Sequence, residues 1–151
     1  MHYAAAYGFS ECIDVLKQAG ADQNASDSQK LTPLTVAMLK NNLGTMKKLL
    51  SFPDTDVNCK DNEGRTLIMV AIDTLNKQNL EHIEYLLKEK NADPNMTDVQ
   101  GYNALHYACN INIENLVNRD PRAYNTTPEA REEIREEYRK LQVYISHYLR
   151  W

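Results

Sequence analysis

The stretch that decides the fold is Gly20-Ala21-Asp22-Gln23-Asn24, which follows a run of apolar residues at helical spacing. The same phrase returns as Asp56-Val57-Asn58 and as Asn91-Ala92-Asp93-Pro94-Asn95. A Leu-rich helical pattern precedes each copy, and the Asp positions 22, 56 and 93 are 34 and then 37 residues apart. Self-similarity at this period is the signature of stacked supersecondary units.

Length and composition restrict the class of protein. The chain has 151 residues, of which 42% are hydrophobic and 25% charged, as in an ordinary globular domain. It lacks the run of about 18 apolar residues that a membrane helix needs, so we expect no membrane insertion. A net charge of −4 without a basic block argues against nucleic-acid binding. Three widely spaced cysteines fit no disulfide framework, and we expect an intracellular, cytoplasmic protein.

Helix start and stop signals divide most of the chain into copies of one helix-turn-helix unit. Thr32-Pro33 is a typical helix start, with Thr as N-cap and Pro at the first helical position. Gly8 and Gly20 supply left-handed residues that end helices. After Cys109 the pattern fades, so we predict a degenerate fourth copy. The predicted repeats are residues 1–25 (lacking its start), 26–59, 60–96 and 97–118.

Two connections depart from the regular spacing. The third copy has a longer link between its helices, and we predict a loop at residues 76–79 and a helix end at Asn91. In the fourth copy we expect a degenerate short helix at residues 110–118. Residues 119–126 are predicted to be a connector, because Asp120-Pro121 and the following Asn and Thr residues favour turns.

Residues 127–151 form a different kind of segment. Thr127 is a candidate N-cap, and apolar residues at 134, 138, 141 and 145 share one helical face. We predict one long amphipathic helix. It either caps the fourth repeat or leaves the stack and pairs with another protein as in a coiled coil. Capping is favoured, because the fourth repeat lacks a clear second helix and would leave apolar surface bare.

The repeats resemble ankyrin repeats, whose units combine a turn, a Thr-Pro-Leu-His-x-Ala helix, a Val/Leu-rich helix and Gly-Ala-Asp-x-Asn. Residues 31–37 match the first phrase except for Thr35 in place of His, and residues 20–24 match the closing phrase fully. Residues 101–108 keep the Gly, Leu, His and Ala. The resemblance implies an all-α repeat solenoid of stacked helix-turn-helix ankyrin repeats with hairpin fingers, followed by the long C-terminal helix.

The resemblance covers about residues 1–109 and has further implications. The final helix lies outside the repeats, or is an outer helix displaced by an insertion at 110–126. In the family the Thr of the first phrase bonds the His, and here Asn103 and His106 are the one comparable pair that we expect. Met1 falls where the family has the Leu of Thr-Pro-Leu-His, so we expect the chain to be a window of a longer protein.

Residues with catalytic or metal-binding chemistry are few. Cys12, Cys59 and Cys109 occupy repeat positions that hold small or apolar residues in other copies, so we interpret them as packed thiols. The Asp of each closing phrase recurs once per repeat and is expected to bond its own turn. The histidines show no metal-ligand spacing, and no Gly-rich phosphate loop is present. We therefore expect no catalytic residue, metal, cofactor or small-molecule ligand.

Function is expected where the copies differ. The resemblance implies a non-enzymatic scaffold that binds one or more partner proteins through the concave ankyrin surface. The alternative is a regulatory or targeting arm of a larger enzyme or channel whose functional domain lies elsewhere. By repeat register, the candidate partner-binding residues are Ser28, Gln29, Lys30, Asn62, Glu63, Arg65, Gln100 and Tyr102 at the finger tips, and Tyr3, Tyr7, Lys40, Asp73 and Tyr107 on the inner helices.

Overall fold

The computed structural model describes residues 1–74, 77–89, 92–124 and 126–149. In this part of the chain the regular structure is helical, apart from an isolated antiparallel bridge between Lys60 and Thr66. A short 3-10 turn, Pro121–Ala123, precedes the last helix. The α-helices are α1 (His2–Tyr7), α2 (Ser10–Gln18), α3 (Pro33–Leu39), α4 (Leu43–Leu50), α5 (Leu67–Asp73), α6 (Lys77–Glu89), α7 (Ala104–Cys109), α8 (Ile113–Arg119) and α9 (Pro128–Tyr148).

The local helix signals operate as the sequence predicts. Thr32 caps α3 by accepting the N–H of Thr35 at 3.4 Å, and Gly8 ends α1 with a left-handed φ of +77°. Asn103 caps α7, where its Oδ1 lies 2.6 Å from His106 Nδ1. The expectation that this pair is the one comparable Thr–His-like contact is wrong. The hydroxyls of Thr32 and Thr35 lie 3.2 Å apart, because a Thr side chain can replace His as the partner.

The helices stack in two rows. α1, α3, α5 and α7 form an inner row in which each packs on the next, and α2, α4 and α6 pack on the inner helix of their own repeat. Apolar side chains between the rows form one continuous core, to which each fully buried Leu or Ile contributes about 1.5–3 kcal/mol. Fully buried members include Ile13, Leu34, Met38, Met46, Leu49, Leu67, Ile68, Met69, Ile72, Ile83, Leu86 and Ile145.

The closing phrase both ends a helix pair and ties it to the next repeat. Asp22 Oδ1 accepts the N–H of Asn24 at 2.8 Å, and the other two copies repeat this bond, which confirms the turn role predicted for the Asp. The Asn has a second role that the sequence did not indicate. Asn24 Nδ2 donates to Asp54 O at 2.7 Å, and Asn24 Oδ1 accepts the N–H of Asp56 at 3.0 Å.

The loop predicted in the third repeat is wrong, whereas the short helix expected in the fourth repeat is present. Helix α6 begins at Lys77, so residues 77–79 are helical rather than part of a loop, as suits the helix formers Lys and Gln. Asn76 and Asn91, the other predicted loop and helix-end positions, lie outside the described residues. The short helix expected after Asn110 is α8, which runs from Ile113 to Arg119. It is capped by Asn112, whose side chain accepts the N–H of Asn115 at 3.0 Å.

Helix α9 covers the last repeat. Ile134, Tyr138 and Ile145 are buried and Leu141 is half-buried against the core, so the capping arrangement holds rather than a free coiled-coil stripe. α7 makes its main contacts with α5 and α9, while α8 packs on α9. Helix α9 therefore takes the outer place beside α7, displaced along the chain by residues 110–126. None of the helices in the described part of the chain is long and apolar enough to cross a membrane.

Candidate functional site

The finger turns are held by one carboxylate each. Asp27 Oδ1 accepts the N–H groups of Gln29 and Leu31 at 2.8 and 2.9 Å. Asp61 and Asp98 make the same pair of bonds in the next two fingers. Because these bonds fix the turn backbone, the exposed side chains at the tips start from a defined position. The tip residues predicted to bind a partner, Ser28, Gln29, Lys30, Asn62, Glu63, Gln100 and Tyr102, are all exposed.

Neighbouring fingers are joined through their backbones. The N–H of Asn62 donates to Gln29 O at 3.3 Å, and its side chain donates to Ser28 O at 3.2 Å. The N–H of Val99 donates to Glu63 O at 3.1 Å. The fingers therefore form one continuous edge rather than three independent loops, and the tip residues of different repeats hold fixed relative positions.

Arg65 is not a free cation on this surface. Its guanidinium bonds Asp61 at 2.9 Å and lies 3.4 Å from Glu63 and 3.5 Å from Asp73. Partial burial alone would lower the pKa of Arg65, but the bond to Asp61 and the neighbouring carboxylates outweigh it and raise that pKa. Of the predicted binding residues, Arg65, Glu63 and Asp73 are thus brought together, and their group keeps an excess of negative charge.

The fourth repeat gathers a second group of predicted residues. Gln100, Tyr102 and Tyr107 line a groove of about 420 Å³, together with His106 and Asn110, which sequence reasoning did not assign to binding. The rings of Tyr102 and His106 are 5.6 Å apart. The Tyr107 hydroxyl donates to Asp98 at 2.8 Å, and burial together with this carboxylate raises the pKa of Tyr107.

The remaining predicted residues stand apart from these two groups. Tyr3 and Tyr7 are exposed on successive turns of α1, and the Tyr7 ring stacks on Phe9 at 6.0 Å. Lys40 is exposed at the end of α3. Phe9 was missed as a candidate because it falls at a helix break, where an exposed aromatic has no periodic signal.

The interpretation of the thiols as packed is wrong for two of the three cysteines. Cys12 and Cys109 are exposed, and Cys109 is exposed because α7 packs on α5 and α9, with no further inner helix on its other face among the described residues. Cys59 is half-buried, with its Sγ 3.5 Å from the Thr32 hydroxyl, and burial raises the pKa of this thiol. No cluster of three or more potential metal ligands is found among the described residues.

Stacked helix pairs joined by fingers define a helical repeat solenoid that presents an extended surface. The chain belongs to the ankyrin-repeat family, because the profile described as Ankyrin repeats (3 copies) matches residues 1–98 and 47–119. Ankyrin repeats are generally modules of protein–protein interaction.

Relatives with curated names share this repeat region. The chain is 41% identical over 115 residues to the poly [ADP-ribose] polymerase tankyrase of Caenorhabditis elegans, covering 70% of this chain and 5% of that protein. It is 32% identical over 118 residues to human Rabankyrin-5, covering 78% of this chain and 10% of that protein. It is 30% identical over 128 residues to human Neurogenic locus notch homolog protein 2, covering 80% and 5%. The chain thus spans 5 to 10% of the length of these proteins.

Proposed function

We propose that the chain binds a partner protein through its finger tips and inner helices, without chemistry of its own. The observation that carries this proposal is the row of exposed side chains on turns whose backbones are bonded to Asp27, Asp61 and Asp98 and to one another. Because the turn backbones are already fixed, binding costs less conformational entropy than it would with mobile turns.

The groove of the fourth repeat is the proposed centre of the contact. Tyr102 and Tyr107 offer ring surface with few rotatable bonds, which favours them as anchors for a partner. Gln100 and Asn110 contribute amide groups to the lining of the groove, and these groups can bond a partner backbone. The group around Arg65 adds negative charge beside this groove and is proposed to steer the orientation of the partner.

The test is affinity enrichment of partners from a cell extract, quantified by mass spectrometry. The double variant Gln100→Ala with Tyr102→Ala should lose the enriched partner by about tenfold or more, as expected for a hot-spot aromatic. The matched control is Glu11→Ala with Glu81→Ala, at exposed positions on α2 and α6. Equal enrichment by both double variants, with unchanged thermal unfolding, would remove this surface from consideration.

A second candidate function is a regulatory or targeting arm of a larger protein. It is favoured by the small share of its relatives that the chain spans, and by the name of one relative, a polymerase. Expressing the chain in its full natural context and deleting these repeats would separate the two functions. Loss of partner binding alone supports the scaffold, whereas a changed activity of another domain supports the arm. We also propose an intracellular location, which the three free cysteines support.

A further inference from the structure

The face of the fourth repeat that points away from α5 is open where the earlier repeats are closed. In the second repeat Leu34 and Met38 are 1% and 0% exposed, and the matching residues Ile68 and Ile72 of the third repeat are both 1% exposed. In the fourth repeat the matching Leu105 is half-buried, and Cys109 is exposed. An apolar stripe that the following repeat normally covers is therefore accessible here.

The backbone edge of the fourth finger is open as well. Gln29 O accepts the N–H of Asn62 at 3.3 Å, and Glu63 O accepts the N–H of Val99 at 3.1 Å. Gln100 occupies the same position in the fourth finger. Within the described ranges of the chain, no group donates to its carbonyl oxygen. The row of finger-to-finger bonds thus ends on a free acceptor.

The closing Asn of the third repeat gives the edge a second point of attachment. The side chains of Asn24 and Asn58 accept the N–H groups of Asp56 and Asp93 from the next repeat, at 3.0 and 2.9 Å. Asn95 is the matching residue, and it is exposed. Its side-chain amide makes no hydrogen bond to any other residue that the structure describes.

Two pockets that share Cys109 form a cleft along α7 and between α7 and α9. His106 and Asn110 line both this cleft and the groove that contains Gln100. One part, of about 350 Å³, is lined by Cys109, Gln142, Val143, Ser146 and His147. A second part, of about 420 Å³, is lined by Leu105 and Cys109 together with polar residues of α7 and its cap. Val143 is 68% exposed and Leu105 is half-buried, so the cleft presents apolar surface to solvent.

We propose that this edge and cleft, together the end face, bind an extended loop of a partner protein. Two backbone N–H groups of the loop donate to Gln100 O and Asn95 Oδ1, and an apolar side chain enters the cleft beside Leu105 and Cys109. This site lies beyond the finger-and-inner-helix surface, with which it shares the fourth finger.

The contacts at the two covered edges indicate what kind of segment fits the end face. At the two covered edges the donors are Asp56 with Asn62, and Asp93 with Val99, six residues apart in both cases. A helix satisfies its own backbone N–H groups and offers few donors to such an edge, whereas an extended loop exposes them. The fitting partner is therefore a non-helical segment of about seven residues or more with one Leu-sized side chain.

Cys109 allows a direct test by reversible disulfide exchange on the intact chain. The probes are twelve-residue peptides with one Cys and one Leu at varied spacing, and the same peptides with Ser in place of Leu. Each peptide Cys enters as its mixed disulfide with 2-mercaptoethanol, which leaves as the free thiol when the Cys109 thiolate attacks the peptide sulfur. The 2-mercaptoethanol concentration that releases half of the best Leu peptide from Cys109 should be about tenfold higher than for its Ser counterpart. The reason is that the Leu side chain buries apolar surface in the cleft. Cys12, exposed on α2, is the matched control thiol and should show no preference.

Two further measurements check the geometry. Val143→Glu should abolish the Leu preference at Cys109, while Val15→Glu, at an exposed position on α2, should leave it unchanged. N-methylation of the bonded peptide amides should reduce the preference severalfold. Equal Leu and Ser behaviour at Cys109, or survival of the preference in Val143→Glu, overturns the proposal. A preference shown only by helix-stabilised peptides would also overturn it, in favour of a helical partner.

Discussion

Asp120→Asn should weaken the docking of the 3-10 turn and α8 on α9. Asp120 is 6% exposed and accepts the N–H of Arg122 at 2.9 Å. Its other carboxylate oxygen bonds the Arg122 guanidinium at 2.5 Å and the Tyr138 hydroxyl at 3.1 Å. The bond from Arg122 outweighs partial burial and lowers the pKa of Asp120 to about 2. The charged carboxylate is therefore the form that stabilises this junction.

The magnitude follows from the pKa. A fall from 3.8 to about 2 corresponds to about 2 kcal/mol of unfolding free energy. Arg122 is 45% exposed, so solvent screening reduces the expected loss to about 1–2 kcal/mol. Since the folded pKa lies below the unfolded one, this stability is present above about pH 4. It is lost as the pH falls towards 2 and the carboxylate is protonated.

Urea unfolding of the natural chain and Asp120→Asn, followed by circular dichroism between pH 7 and pH 2.5, measures this effect. The difference in unfolding free energy should be about 1–2 kcal/mol at pH 7 and should shrink steadily below pH 4. Glu133→Gln, at an exposed position of α9, is the matched control and should change stability by less than about 0.5 kcal/mol. A difference that stays constant down to pH 2.5 would refute the electrostatic reasoning.

Three further outcomes are expected. Asn24→Ala removes two hydrogen bonds to the next repeat and should lower the free energy of urea unfolding by about 1–2 kcal/mol. Asn95→Ala is the control and should lower it by less than about 0.5 kcal/mol. Equal losses in the two variants would contradict the role of Asn24 in joining repeats. Lys30→Gly should raise the free energy of unfolding by about 0.5 kcal/mol, because Lys30 has a left-handed φ of +59° that glycine adopts more easily. Gly64→Ala should lower the free energy of unfolding, because the added Cβ would lie 2.9 Å from Val99 N. A change of the same sign in both variants would count against this explanation. Cys12 and Cys109 should react with a maleimide at least about tenfold faster than Cys59, as mass spectrometry can follow, because burial raises the pKa of Cys59; a comparable rate for Cys59 would argue against its burial.

Much of the fold can be predicted from the sequence, because short-range signals specify it. The Thr32-Pro33 helix start, the left-handed Gly8 and the Asp22 turn act between residues only a few positions apart. Such contacts depend on the chain's own geometry, so their residue pattern predicts them before any packing is known. The repeat period followed from the same signals, because each copy spells its start and stop again.

The tertiary structure decided what each surface residue does. Arg is a residue type that is common at binding sites, so the sequence favours Arg65 as a contact. Only its position beside Asp61 and Asp73 shows that its charge is already paired. Cys109 matches buried positions of other repeats, yet it is exposed. The reason is that α7 packs on α5 and α9, and no further inner helix covers its other face among the described residues. Burial and pairing depend on which elements meet in space, and a repeat pattern records only what each element has in common with its copies.

The sequence by itself therefore determined the repeat period, the helix boundaries near Thr32 and Gly20, and the family. The tertiary structure alone decided that Asn24 joins two repeats, that α9 closes the fourth one, and that Gln100 ends the row of finger bonds. The physical reason is the range of the interactions. Caps and turns form within one segment of chain, whereas coverage of a surface depends on residues distant in sequence.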